Sequence, residues 1–227
     1  MSKHSFPPHK ILVPTDLGPA SNVAMGFARV IHEKFGTPVG VLHACHLDVP
    51  PYFSSGQIET LKRELGKAKQ SAEEQIRKEN SARLGFEAGI FMVDKPPVDS
   101  ILEESDRLEA GLVIMGTHGR HGARRLMLGS VAERVLRQSR IPVLVVRESA
   151  RPGLFRKIFC PNRCRVEEVL VGGEAAKSIL EAAQRVKPDL IVMGAEQKST
   201  IIGELFSSTT ERVMQLADAP LLVVPKY

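Results

Sequence analysis

The sequence predicts an α/β fold: a doubly wound parallel sheet of five strands, followed by a truncated second copy of the same fold. Three observations carry this prediction. Short apolar runs alternate with amphipathic stretches of helical period through residue 146, the pattern of strands and helices in alternating layers. Residues 112–131 join one such run to a helix start through a glycine-rich, basic stretch. Residues 171–224 repeat residues 93–146 at a constant offset of 78, with 17 of the 54 positions identical.

Composition bounds the function classes. The chain has 227 residues, 43% hydrophobic and 25% charged, enough material for one large domain or one and a half ordinary ones. Its net charge of +5 favours anionic ligands but is spread along the chain. Without Trp and with only two Tyr, it lacks the interleaved basic and aromatic residues of a nucleic-acid surface, and no nucleic-acid partner is expected. No stretch approaches the roughly 18–20 apolar residues that span a bilayer, and residues 1–8 lack an apolar signal core. The expectation is a cytoplasmic protein with no membrane partner. Three cysteines do not make a disulfide framework, and Cys160 with Cys164 could clip a metal only with two ligands from elsewhere.

The elements follow in order. Residues 10–16 read as a strand ending in proline and two capping-type residues, after which Ser21 can cap a helix through about Phe35. Val23, Phe27, Val30 and Ile31 share one face of that helix. Gly36, Thr37 and Pro38 break it, and residues 39–45 form a second buried strand, parallel to the first. From Ile58, the positions Leu61, Leu65, Ala68, Ala72 and Ile76 repeat at helical spacing, as in a charged helix lying on a sheet. Residues 85–93 make the third strand, and Val98 to Leu108 the third helix after the Pro96–Pro97 entry. Residues 112–115 are the fourth strand, Ser130 to about Ser139 the fourth helix and residues 142–146 the fifth strand.

The remaining residues are a partial copy, which divides the chain into 1–150 and 151–227. Met115-Gly116 recurs as Met193-Gly194, Glu133-Arg134-Val135 as Glu211-Arg212-Val213, and Pro142 as Pro220, while residues 156–161 echo 9–14. In the first copy 76 residues separate Pro14 from Phe91; in the second, seven separate Pro161 from Val169. The equivalents of helix one, strand two and helix two are missing. Seven residues are too few for a parallel crossover, so the second copy should pack on the first or on another chain. Its apolar end, residues 220–224, is a natural partner for residues 142–146.

In a doubly wound sheet, ligands sit beyond the carboxyl ends of the strands. Pro14, Thr15 and Asp16 after strand one, His43 to Cys45 ending strand two, and residues 116–131 converge there. Glycines 116, 119 and 122 allow close backbone approach, Gly129-Ser130 opens a helix whose free amides face the loop, and His118, Arg120, His121, Arg124 and Arg125 add positive charge. An acid for a ribose, a strand end for a base edge and a phosphate cradle make a nucleotide site. His118 and His121 fit either phosphate contact or a solvated loop. His43, Cys45 and His46 do not make a metal cluster, because His46 faces away from the other two in a strand.

The spacing Gly116-x2-Gly119-x9-Gly129-Ser130 resembles the nucleotide-binding signature of the universal stress protein (UspA-like) family, here in a tandem form with a shortened second copy. Residues 10–16, Leu42-His43-Ala44 and residues 142–146 are similar to that family's first, second and fifth strands. The resemblance implies an adenine nucleotide alpha hydrolase-like sheet. It also implies that Asp16 and the Ala44 backbone hold adenosine, with Pro14 and Thr15 beside them. Met115 and Gly116 would line the ribose and α-phosphate side, and Gly119, Gly129, Ser130 and Val131, flanked by His118 and Arg120, would hold the phosphates. ATP is the expected ligand, with ADP or AMP as alternatives and Mg2+ held through the phosphates. The family implies little or no hydrolysis, no catalytic residues, and a homodimer or higher oligomer formed through the final strands and the truncated repeat.

In the second copy Gly119 becomes Gln197, Gly129 becomes Ser207 and Asp16 becomes Arg163, so one competent site per chain is expected. Two other readings are an oligomerisation scaffold without nucleotide and a slow ATPase. Against the latter stand the missing GxxxxGK[ST] loop and the lack of a carboxylate pair for two metals.

Overall fold

A computed structural model of the chain describes residues 7–46, 52–117, 129–160, 175–195 and 208–225. Strand β1 (Ile11–Pro14) leads into helix α1 (Pro19–Phe35), then β2 (Val39–Ala44), α2 (Ser55–Leu84), β3 (Gly89–Val93), α3 (Pro97–Arg107), β4 (Leu112–Gly116), α4 (Ser130–Gln138) and β5 (Val143–Val146). The repeat adds β6 (Ile158–Phe159), α5 (Ala175–Val186), β7 (Leu190–Ala195), α6 (Ser208–Leu216) and β8 (Leu221–Pro225). All eight strands lie in one sheet in the order β3-β2-β1-β4-β5-β8-β7-β6. Among the described strand pairs, only β5–β8 is antiparallel.

Both faces of the sheet are covered, which is why its central strands are apolar at every position. Ile11 and Val13 pack with Phe27, Ile31, Val41 and Ile76 on the α1 and α2 side. Leu12 points the other way, with Leu42, Ile101, Met115, Val135 and, from the repeat, Ile191 and Val213. The second cluster crosses the repeat boundary, so the two copies share a core. Residues 151–157 lie against the first copy as well: Phe155 stacks on Phe27 with ring centroids 5.6 Å apart, and Pro152 closes over Gly26.

The truncated copy packs on the first within one chain. Strand β8 pairs with β5 in the register Val143↔Val223, Leu144↔Leu222 and Val145↔Leu221. Leu222 is the repeat equivalent of Leu144, so a local two-fold passes through this pair and each strand meets its own duplicate. Both edges of β5 and of β8 are thereby engaged inside the chain. Residues 220–224 thus meet residues 142–146 within the chain, one of the two packings the sequence left open.

Several element boundaries differ from the sequence expectation. Helix α1 starts at Pro19 with Gly18 as its N-cap, not at Ser21. Proline suits this first turn because its missing N–H has no partner there in any case, and Ser21 instead donates from Oγ back to the Gly18 carbonyl (2.9 Å). Helix α2 is 30 residues long, begun by a capping box in which Ser54 and Gln57 bond reciprocally. Gly85, expected to open the third strand, closes α2 with φ of 73°, and the strand starts at Gly89. Ala68 is exposed; Leu61, Leu65 and Ala72 are half-buried and Ile76 is fully buried. Among the described residues, no helix is long and apolar enough to cross a membrane.

Candidate functional site

A cavity of about 570 Å³ opens at the carboxyl ends of β1, β2 and β4, between the first turns of α3 and α4. Its walls include Pro14, Thr15, Asp16, Ala44, Met115, Gly116, Gly129, Ser130 and Val131, nine of the residues singled out from sequence. His118, Gly119 and Arg120, together with His121, Arg124 and Arg125, lie outside the described residues. Leu42, Pro97, Ile101, Met115 and Ala132 give the cavity an apolar interior, while Thr15, Asp16, Thr117 and Ser130 place oxygen atoms around it.

The wall at the end of β1 is a set of local hydrogen bonds. Leu17 N donates to Thr15 Oγ1 (3.0 Å), and Thr15 Oγ1 donates to Ser21 Oγ (3.1 Å). Gly18 N donates to Asp16 Oδ1 (3.0 Å), the turn that a short acidic side chain makes with its own backbone. Leu17 takes φ of 62°, uncommon for a branched residue, and so turns the chain sharply away from the sheet into α1. The acidic head of Asp16 is thus fixed beside the cavity by its own loop.

The wall at β4 and α4 is tied together by backbone. Thr117 N donates to Val146 O (2.9 Å), and Gly129 N donates to Thr117 O (2.7 Å), bringing the two ends of the glycine-rich stretch to one point. Gly129 is the N-cap of α4 and offers no side-chain oxygen to the first-turn amides. Ser130, Val131 and Ala132 of that first turn line the cavity, so the positive end of the helix is directed at whatever occupies it.

Strand β2 supplies the third wall. The bond from Thr15 N to Leu42 O (2.8 Å) fixes the parity of the ladder: Leu42 and Ala44 turn their backbone groups toward β1. Cys45 turns toward β3, where its amide and thiol both donate to Val93 O. Beyond the Thr15–Leu42 bond no further β1–β2 rung occurs among the described hydrogen bonds, and Ala44, which lines the cavity, turns its backbone edge to it. Burial pushes the Cys45 thiol above its ordinary pKa, with the nearby Lys69 ammonium opposing it. Among the described residues there is no group of three His, Cys, Asp or Glu side chains able to hold a metal.

Residues that sequence reasoning passed over as lining groups are Ser21, Leu42, Pro97, Ile101 and Ala132. Pro97 and Ile101 had a usable signal. A helix that follows a parallel strand also starts at the carboxyl end of the sheet, and i,i+4 spacing puts both side chains on one face. In the second copy, β7 carries Met193 and Gly194 just before its end at Ala195, as β4 ends in Met115 and Gly116, but residues 161–174 and 196–207 lie outside the described residues.

Comparison with known proteins places this geometry. The universal stress protein family model matches residues 8–147 and again 162–225. The chain is 32% identical over 142 residues to a universal stress protein of Methanocaldococcus jannaschii, covering 61% of this chain and 82% of that one. It is 30% identical over 139 residues to one from Thermus aquaticus, covering 60% of this chain and 97% of that relative. Its fold is similar over 98% of its length to the crystal structure of a universal stress protein from Archaeoglobus fulgidus, with a TM-score of 0.72, 19% identity and all of that chain covered. With its cavity at the strand ends and the family's pattern matched twice along its length, the chain belongs to the universal stress protein family.

Proposed function

We propose that the chain is a cytoplasmic stress-response regulator that binds one adenine nucleotide per chain, ATP first and ADP or AMP as alternatives. The observation that carries this reading is the meeting, in one cavity of about 570 Å³, of an apolar slot with the uncapped N-terminus of α4. A purine would lie among Leu42, Ile101, Met115 and Val131, with the Ala44 backbone along its edge and the Asp16 carboxylate at the ribose. The phosphates would meet the amides of Ser130 and Val131 and the glycine-rich stretch before them. Mg2+ would be held through the phosphates, since Asp16 is the one acidic side chain among the described lining residues. One carboxylate offers little for activating a water, so the site is read as one that holds nucleotide rather than turning it over.

Native mass spectrometry of the purified protein tests this reading. An adduct with the mass of an adenine nucleotide, or uptake of one added ATP per chain, is expected. Absence of both at millimolar ATP with Mg2+ would remove the proposal.

A further inference from the structure

The ladder between β1 and β2 ends one rung early, and a side chain stands where the next rung would be. Thr15 N still donates to Leu42 O, so the next rung in a parallel ladder would be Ala44 N–H to Thr15 O. That bond does not appear among the described hydrogen bonds, and β1 ends at Pro14, paired with Leu42. In its place the His43 ring comes over the strand end, with Nδ1 2.8 Å from Thr15 O. A carbonyl oxygen can only accept, so His43 carries its proton on Nδ1. The side chain of one residue thus satisfies the acceptor that the backbone of the next would otherwise take.

We infer that His43 is a positioning residue for the cavity: by donating from Nδ1 to the Thr15 carbonyl, it leaves the Ala44 amide unspent and turned to the ligand. Two effects follow from the one bond. The Ala44 N–H stays available to an acceptor nitrogen on a heteroaromatic base. The Thr15 carbonyl also gains an anchor immediately before Asp16 and Leu17, where the chain holds its positive φ. Glycine-rich stretches and helix termini handle the phosphate end, and His43 acts at the opposite end. The base-edge role rests on the nucleotide reading above; the hydrogen-bond exchange between His43 and Ala44 does not.

The test therefore has one arm without ligand and one with it, both on the full chain. In the ligand-free protein, nitrogen-15 spectra of the His43 ring should report the Nδ1-protonated tautomer, and the Ala44 amide should exchange with solvent far faster than that of Leu42. In His43→Leu the vacated Thr15 carbonyl should capture the Ala44 amide, which then becomes protected. His43→Asn carries an N–H on the same γ carbon and should keep the wild-type exchange pattern. Titrated with adenosine, His43→Leu should bind roughly tenfold more weakly, the worth of one hydrogen bond, with His43→Asn restored close to wild type. Binding of inorganic tripolyphosphate should be the same in all three.

An Nε2-protonated tautomer, or an Ala44 amide already protected in the wild type, overturns the inference, and both readouts stand even if His43→Leu fails to fold. Equal adenosine affinity in a folded His43→Leu overturns it as well. A wild type that binds no adenosine, yet shows the expected tautomer and exchange pattern, would sink the nucleotide reading while the hydrogen-bond exchange stands.

Discussion

At Gly116 a methyl group has no room. A Cβ built there would lie 2.7 Å from the Ala20 Cβ and 3.0 Å from the Ala20 backbone carbon, because β4 ends against the first turn of α1. Gly116→Ala must move the start of α1 and with it the Asp16 loop, so a loss of about 1–3 kcal/mol in stability is expected from chemical denaturation. Nucleotide affinity should fall in the same variant, and a fully stable Gly116→Ala would show that the close approach is not real. Much of the cavity wall was legible in residues such as Gly116, Gly129 and Asp16, because strand ends followed by glycine or a short acid carry their geometry locally. Ser21 does not cap α1, although a serine before an apolar stretch has the pattern of a cap, because Pro19 sets the first turn and puts the cap three residues earlier, at Gly18. The sequence places His43 at the strand end beside the site but gives its side chain no role there; its bond to Thr15 O spans 28 residues and depends on register, which no local pattern encodes.

Among the elements, α6 is held by a residue of the other copy. Arg147, directly after β5, donates from Nη2 to the carbonyls of Met214 and Gln215 in the last turn of α6. A guanidinium there satisfies carbonyls that the helix leaves open and complements its negative end. The preceding residue, Val146, accepts from Thr117 beside the cavity, so the same strand end touches both the repeat and the site. Arg147→Ala should cost about 1–3 kcal/mol of stability, and urea unfolding measures it. A change near zero would mean that the repeat is secured by its apolar contacts alone. The elements themselves were largely visible in the sequence through period and punctuation. Those that shifted did so where caps outrank period: Ser54 with Gln57 begins α2 before its apolar repeat does, and Gly85 ends it where a strand was expected. Such caps act through single hydrogen bonds and positive φ, which hydrophobic spacing does not register.

Across the whole molecule, duplication and deletion have left a chain that pairs with itself. The offset of 78 exposed the repeat, and the apolar match between residues 142–146 and 220–224 suggested the partner, but the antiparallel direction and the register come only from the structure. They depend on how α5 and α6 pack against α3 and α4 in the shared core, a nonlocal fit. Placing cysteines at Leu144 and Leu222, with Cys45, Cys160 and Cys164 changed to serine, should give an intrachain disulfide independent of protein concentration. A covalent dimer that grows with concentration on non-reducing gels would contradict the internal two-fold. In this arrangement the ends of β1, β2 and β4 meet the start of α4 around a cavity. Isothermal titration of the full chain with ATP and Mg2+ addresses that claim most directly. One nucleotide per chain is expected, weakened more than about tenfold by Asp16→Ala combined with Gly129→Val. No binding by the wild type, or unchanged binding by a folded double variant, would contradict it.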